Sequence, residues 1–184
     1  GILSVLYTSL MGLPVPFAPV HLLFMNLLTD SLPAIAIGME PPEDGLLDKA
    51  PRDPKEGILT KNFMVKIGGM GAIIAICTMA AFHIGLNQGD EMLASTMAFA
   101  TLTLARLFHG FNCRSDINII QLGFKGNMAS LGAFVAGVTF LALVLFVPFL
   151  RNLFAVSVLT VGQLGAIFIL ALIPTIIFQV PKMQ

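Results

Sequence analysis

The sequence predicts an all-α, polytopic transmembrane bundle of six apolar segments, and three observations predict it. Apolar residues make up 57% of the 184-residue chain and charged residues 11%, against roughly 45–50% and about 25% in soluble domains. The charges are poorly mixed, and none falls in Gly1–Leu28, Ile67–Gly89, Gly126–Leu150 or Asn152–Pro181. The joins between these stretches hold all of the charge. An uncharged apolar run of about 18 residues or more is long enough to cross ~30 Å of hydrocarbon as a helix.

The first segment, Gly1 to about Phe17, ends in "GLPVPFAP", where proline lacks the N–H that a continuing helix requires. The second runs from about Val20 to Met39 and the third from Phe63 to Leu86. Met92–Asn112, Met128–Phe149 and Val156–Val180 complete the set. Most connections are short, as in a compact bundle. The exception is Glu40–Lys61, "EPPEDGLLDKAPRDPKEGILTK", too charged for the bilayer and too rich in proline for a helix. Neither internal repeats nor low-complexity tracts occur.

Lys49, Arg52, Lys55, Lys61, Lys66, Arg114, Lys125 and Lys182 fall on one side of an alternating six-span topology, and Arg151 alone on the other. The positive-inside rule therefore puts Glu40–Lys61, Cys113–Asn127 and the C-terminus in the cytoplasm, and the turns "GLNQGDE" and "RNLF" outside. A net charge of zero offers nothing to nucleic acid or to a polybasic lipid anchor; membrane lipid is the expected surrounding. Cys77 and Cys113 stand in different segments without metal-ligand spacing and read as buried thiols. With no initiator Met or n-region, and a start inside an apolar run, the chain is expected to be a fragment.

Asp30 is the residue most in need of a reason. A charge at mid-bilayer costs roughly 2.5–3.5 kcal/mol on insertion scales. Asn26, Thr29 and Asp30 lie at i, i+3 and i+4, so a regular helix puts three oxygen-bearing side chains on one face. Pro33 cannot donate to the Thr29 carbonyl, and its ring presses against that carbonyl. A break at Asp30–Pro33 is therefore expected, with a freed carbonyl beside a carboxylate, an amide and a hydroxyl. Hard cations such as calcium take six to eight oxygens of this kind, and broken midplane helices are where transporters hold ions. The alternative is an Asp hydrogen-bonded for packing alone.

Arg106 is the second intramembrane charge, in "TMAFATLTLARLFHGFN". It either snorkels to the headgroups or faces inward, pairing with Asp30 or filling space that a second cation would need. His109, one turn on, reads as an interfacial residue or as a proton-linked neighbour. His21 and His83 sit near segment ends and receive no role. Within the long connection, Pro51, Arg52, Pro54, Lys55 and Glu56 form either a solvated connector or a stiff surface that docks a cytoplasmic domain.

The stretch "GLPVPFAPVHLLFMNLLTDSLPAIAIGMEPPEDGLLDKAPRDPKEGIL" resembles the fifth-to-sixth membrane helix region of P-type ATPases, the calcium-pump branch in particular. "APRDPKEGILT" and "STMAFATLTLARLFHGFN" extend the likeness, which covers the whole chain as helices five to ten, the fifth cut short. The resemblance implies that Asn26, Thr29 and Asp30 are sixth-helix cation ligands. Gly1 and Arg106 stand where two-calcium pumps carry glutamates, which implies the one-calcium variant found among bacterial pumps. It also implies a plasma-membrane calcium exporter carrying about one ion per cycle with proton counter-transport. The phosphorylation domain and helices one to four would belong to the same full-length protein. No D-K-T-G-T sequence is present, so ATP and magnesium belong to domains outside this chain, which alone should have no ATPase activity. An ion-coupled secondary transporter, a P-type pump for manganese or for sodium and potassium, and a non-transporting helical scaffold are the competing readings.

Overall fold

A computed structural model describes residues 1–39, 60–112 and 128–179, and every regular element among them is helical. The connection holding Pro51, Arg52, Pro54, Lys55 and Glu56 lies outside the described residues, as do Cys113, Arg114, Lys125 and Lys182. Helix α1 spans Ile2–Leu10 and stops earlier than the prolines demand. Gly12 takes φ +64°, Leu13 N–H donates to the Thr8 carbonyl at 2.9 Å, and Gly12 N–H donates to the Ser9 carbonyl at 3.4 Å. This is a Schellman ending, in which a glycine in the left-handed region satisfies the last carbonyls.

The second segment starts at Pro19, where a missing N–H costs nothing, and gives α2, Pro19–Phe24. A π-helical turn, Met25–Asp30, follows, and α3, Ser31–Gly38, completes the span. The interruption expected at Asp30–Pro33 is therefore present as a widening, not an unwound turn, and it precedes Pro33. Widening by one residue moves the carbonyl four residues back away from the proline ring, so α3 can continue through Pro33.

Helix α4, Lys61–Gln88, is capped by Thr60, whose hydroxyl accepts from Phe63 N–H at 3.2 Å. Helix α5 follows at Glu91–Asn112, and Asp90 accepts from Leu93 N–H at 2.8 Å. Only Gly89 and Asp90 separate the two helices, a tighter turn than "GLNQGDE" suggests. Helix α6 covers Met128–Phe146. The "RNLF" turn belongs to a short helix, α7, Pro148–Leu153, which closes on Ala155 at φ +49° in a second Schellman ending. Helix α8, Val161–Gln179, begins with a reciprocal cap: Gln163 N–H donates to Thr160 Oγ1 at 3.3 Å, and Thr160 N–H to Gln163 Oε1 at 2.9 Å.

Among the described residues, four spans are long and apolar enough to cross a membrane: Pro19–Gly38, Phe63–Gln88, Met128–Phe146 and Val161–Gln179. Their apolar side chains largely face outward, as lipid contact requires and water would not allow; Leu23, Ile76, Val135 and Ile169 are all exposed. The chain is an all-α transmembrane bundle. Helix α5 is long enough to cross but more polar, and it sits at the centre, against α4, α8, α6, the π turn and α3. Met97, Ala98, Phe99, Ala100, Leu102 and Ala105 are buried along it. A helix surrounded by protein can carry Thr96, Thr101, Thr103 and Arg106 without presenting them to lipid. Backbone meets backbone closely at Gly85, where an added Cβ would stand 2.6 Å from Ala94 Cα.

Candidate ion site

The Pro19–Gly38 span (α2, the π turn and α3) faces α5 along one stripe of α5. Phe99 meets His21 and Phe24, with ring centroids 4.3 and 5.5 Å apart. Arg106 meets Asp30, and a Cβ on Gly110 would lie 3.8 Å from Pro33 Cβ. The spacing of 99, 106 and 110 fits one face of a 3.6-residue helix.

Arg106 Nη1 lies 3.0 Å from Asp30 Oδ1 and donates to Oδ2 at 3.1 Å, so one nitrogen forks to both carboxylate oxygens. Pairing with Asp30, left open beside snorkelling by the sequence, is what the structure shows. The pair is not sealed: the Arg106 side chain is 29% exposed and that of Asp30 46%. Asp30 is the last residue of the π turn, so its carboxylate stands where the backbone hydrogen-bond pattern changes. The turn's own polar groups mark that change: the Ser31 hydroxyl donates to the Asn26 carbonyl five residues back at 3.0 Å.

The other two expected ligands part company. Asn26 is exposed, as Asp30 is, whereas Thr29 is buried and its hydroxyl donates to the Met25 carbonyl at 2.8 Å. That leaves the Thr29 oxygen free to accept or to ligate only from within the bundle. His109 is half-buried and its ring meets Phe178 edge-on at 5.8 Å. Among the described residues no group of three His, Cys, Asp or Glu side chains gathers as a metal cluster. A site here would instead use one carboxylate with amide, hydroxyl and carbonyl oxygens, the donor set that suits a hard cation.

Two residues of this region were not singled out from the sequence. His21 is fully buried; its Nδ1 accepts from Ala18 N–H at 3.2 Å and its Nε2–H donates to the Phe154 carbonyl at 2.7 Å. Thr103, on the stripe between Phe99 and Arg106, is fully buried with no hydrogen-bond partner for its hydroxyl among the described residues. At the far side of α4, His83 Nε2 and Tyr7 Oη lie 3.0 Å apart over a cleft of about 490 Å³ between α1 and α4. That cleft shares no lining residue with the Asp30–Arg106 pair.

The family described as "Cation transporting ATPase, C-terminus" matches residues 14–183. The chain belongs to that family. It is 36% identical over 176 residues to a calcium-transporting ATPase of Bacillus subtilis, covering 95% of this chain and 20% of that protein. Identity is 38% over 157 residues to a calcium-transporting ATPase of Lactococcus lactis, covering 85% and 18%, respectively. It is 37% over 134 residues to one of Listeria monocytogenes, covering 72% and 15%. The chain thus spans about a fifth of the length of the curated relatives it matches. In this member of the cation transporting ATPase C-terminal family, the Asp30–Arg106 contact sets a carboxylate and a guanidinium together between the π turn and α5.

Proposed function

We propose that this chain is the C-terminal transmembrane part of an ATP-driven pump that exports calcium from the cytoplasm, with Asp30 as its charged cation ligand and Asn26 and Thr29 as neutral ones. The observation that carries the reading is the forked Arg106–Asp30 contact at the end of a π-helical turn inside a membrane span. Intramembrane carboxylates are retained where they serve ions or substrates, and π turns gather at functional sites. The names of the bacterial relatives support calcium as the ion.

Arg106 acts as a fixed positive charge in the space of a second ion, which gives about one calcium per cycle and proton counter-transport, with His109 as a proton-linked neighbour. A guanidinium close to Asp30 also neutralises the carboxylate between ions. Calcium binding must then exchange one partner of Asp30 for another, so binding takes no naked carboxylate into the bilayer. Magnesium and ATP act in cytoplasmic domains of the full-length protein. Glu40–Lys61, with Pro51, Arg52, Pro54, Lys55 and Glu56, docks the phosphorylation domain, and helices one to four supply the remaining ion oxygens. The pump spans the plasma membrane of a bacterium with its C-terminus in the cytoplasm.

The test is calcium-dependent phosphorylation of the full-length protein carrying Asp30→Asn. The amide keeps the shape and loses the charge, so half-maximal calcium should rise by at least about tenfold, roughly 1.4 kcal/mol. Wild-type calcium dependence in that variant would remove Asp30 as a ligand.

A further inference from the structure

The buried threonines of the bundle fall into two groups. Thr8, Thr29, Thr78 and Thr96 each donate to the carbonyl four residues earlier, at 3.3, 2.8, 2.8 and 2.7 Å. That is the ordinary way a hydroxyl is satisfied inside a helix. Thr101 and Thr103 are equally buried and make no such bond. Two residues apart on a helix, they point about 200° apart, so they cannot serve the same neighbour.

Thr103 lies on the stripe that faces the ion-site span. Phe99 four residues before it meets His21 and Phe24, and Arg106 three residues after it holds Asp30. Since the Pro19–Gly38 span and α5 make these contacts in the same order along their sequences, Thr103 stands level with the π turn, about 4.5 Å along the axis from Arg106. Thr101 falls on the opposite side of α5. With neither a local carbonyl nor another partner among the described residues, the Thr103 hydroxyl is available to the span that faces this stripe, where the π turn alters the positions of the carbonyls.

We infer that Thr103 is a further cation-site residue, presenting its hydroxyl as a neutral oxygen ligand from α5 toward the ion held by Asp30. This rests on the calcium reading of that site. A hydroxyl held in this way turns the Arg106 stripe into part of the binding surface. Arg106 excludes a second ion, and Thr103, one turn away, contributes to the first. It also gives a use to a threonine at a position where valine would fill the same volume without burying an unpartnered hydroxyl.

The experiment compares Thr103→Val, Thr103→Ser and Asp30→Asn in the full-length pump, with calcium itself as the probe. Two readouts are taken: the calcium concentration for half-maximal phosphorylation, and the rise in thermal midpoint that calcium produces without ATP. Thr103→Val should raise half-maximal calcium by about fivefold to tenfold and shrink the calcium-induced thermal shift, while Thr103→Ser stays within about twofold of wild type on both. Should the valine variant fail to fold, Thr103→Ala must show the same pair of changes. A valine variant with unchanged calcium dependence and a higher thermal midpoint would mean that the hydroxyl serves packing only, and would overturn the inference. In that case an altered Asp30→Asn variant shows that the site reading survives. Unchanged values in Asp30→Asn as well would discard both.

Discussion

The same two helices behave differently at the His21 end of their contact and at the Asp30 level. Around His21 each polar group has a fixed partner: Ala18 N–H and the Phe154 carbonyl hold the imidazole, and Phe99 stacks on it at 16°. The neighbouring loop is tied in too, with Ser157 N–H donating to Thr96 Oγ1 at 2.9 Å and Gln163 Nε2 to Gln88 Oε1 at 3.1 Å. At the Asp30 level the helix is widened, the ion pair is half-exposed, and the Thr103 hydroxyl lacks a partner among the described residues. Under the proposed ion reading, the bundle is a frame beside a site. Around His21 the imidazole's polar partners are satisfied within the bundle, while the Asp30 level leaves a part-exposed charge pair and an unpartnered hydroxyl, which the proposed ion would claim.

Frame and site should therefore fail in different ways. The largest effect is expected at Gly85→Ala, since the new methyl would collide with Ala94 backbone atoms at 2.6 and 2.9 Å, which cannot rotate away. Separating α4 from α5 should cost about 3 kcal/mol or more and be seen as loss of folded, detergent-stable protein. His21→Leu comes next. It leaves a part-buried N–H and a part-buried carbonyl without the imidazole that bonds them, which should lower stability by about 1–2 kcal/mol in thermal or denaturant unfolding. Calcium dependence of the surviving protein should be unchanged, and His21→Gln, which retains an acceptor and a donor, should recover much of the stability. A His21→Leu variant with normal stability but altered calcium dependence would erase the distinction between frame and site. The smallest effect is a gain: Ala155 at φ +49° pays for a Schellman ending that glycine adopts freely, so Ala155→Gly should stabilise by roughly 0.5–1 kcal/mol.

Much of the bundle was legible in the sequence because bilayer crossing leaves a coarse mark. Charge-free runs located the spans, and a lone Asp before a proline located the irregular turn. What escaped has physical reasons. Hydropathy reports how apolar a helix is but not what surrounds it, so the central place of α5 could be suspected only from its alanines and threonines, the small residues that let helices approach. The effect of Pro33 is spread over the turn before it, so the break lay a few residues earlier than the proline suggests. His21 looked like a lone histidine at a segment end because its key partner, Phe154, is 133 residues away. The Asp30–Arg106 contact could be named as one of two options, since a long side chain reaches either headgroups or a neighbouring helix from the same position. Asn26 and Thr29 were placed on one face by α-helical spacing, and the π turn is what separates them.

The central claim is that one level of the bundle holds both a cation's carboxylate and a built-in positive charge that takes a second cation's place. Counting calcium ions carried per ATP in the full-length pump, across a range of pH, for wild type and Arg106→Glu tests it most directly. Replacing the guanidinium by a carboxylate should raise the ion count above the value of about one proposed for wild type, or shift the pH dependence of transport. A variant with the wild-type count and the wild-type pH profile would contradict the account.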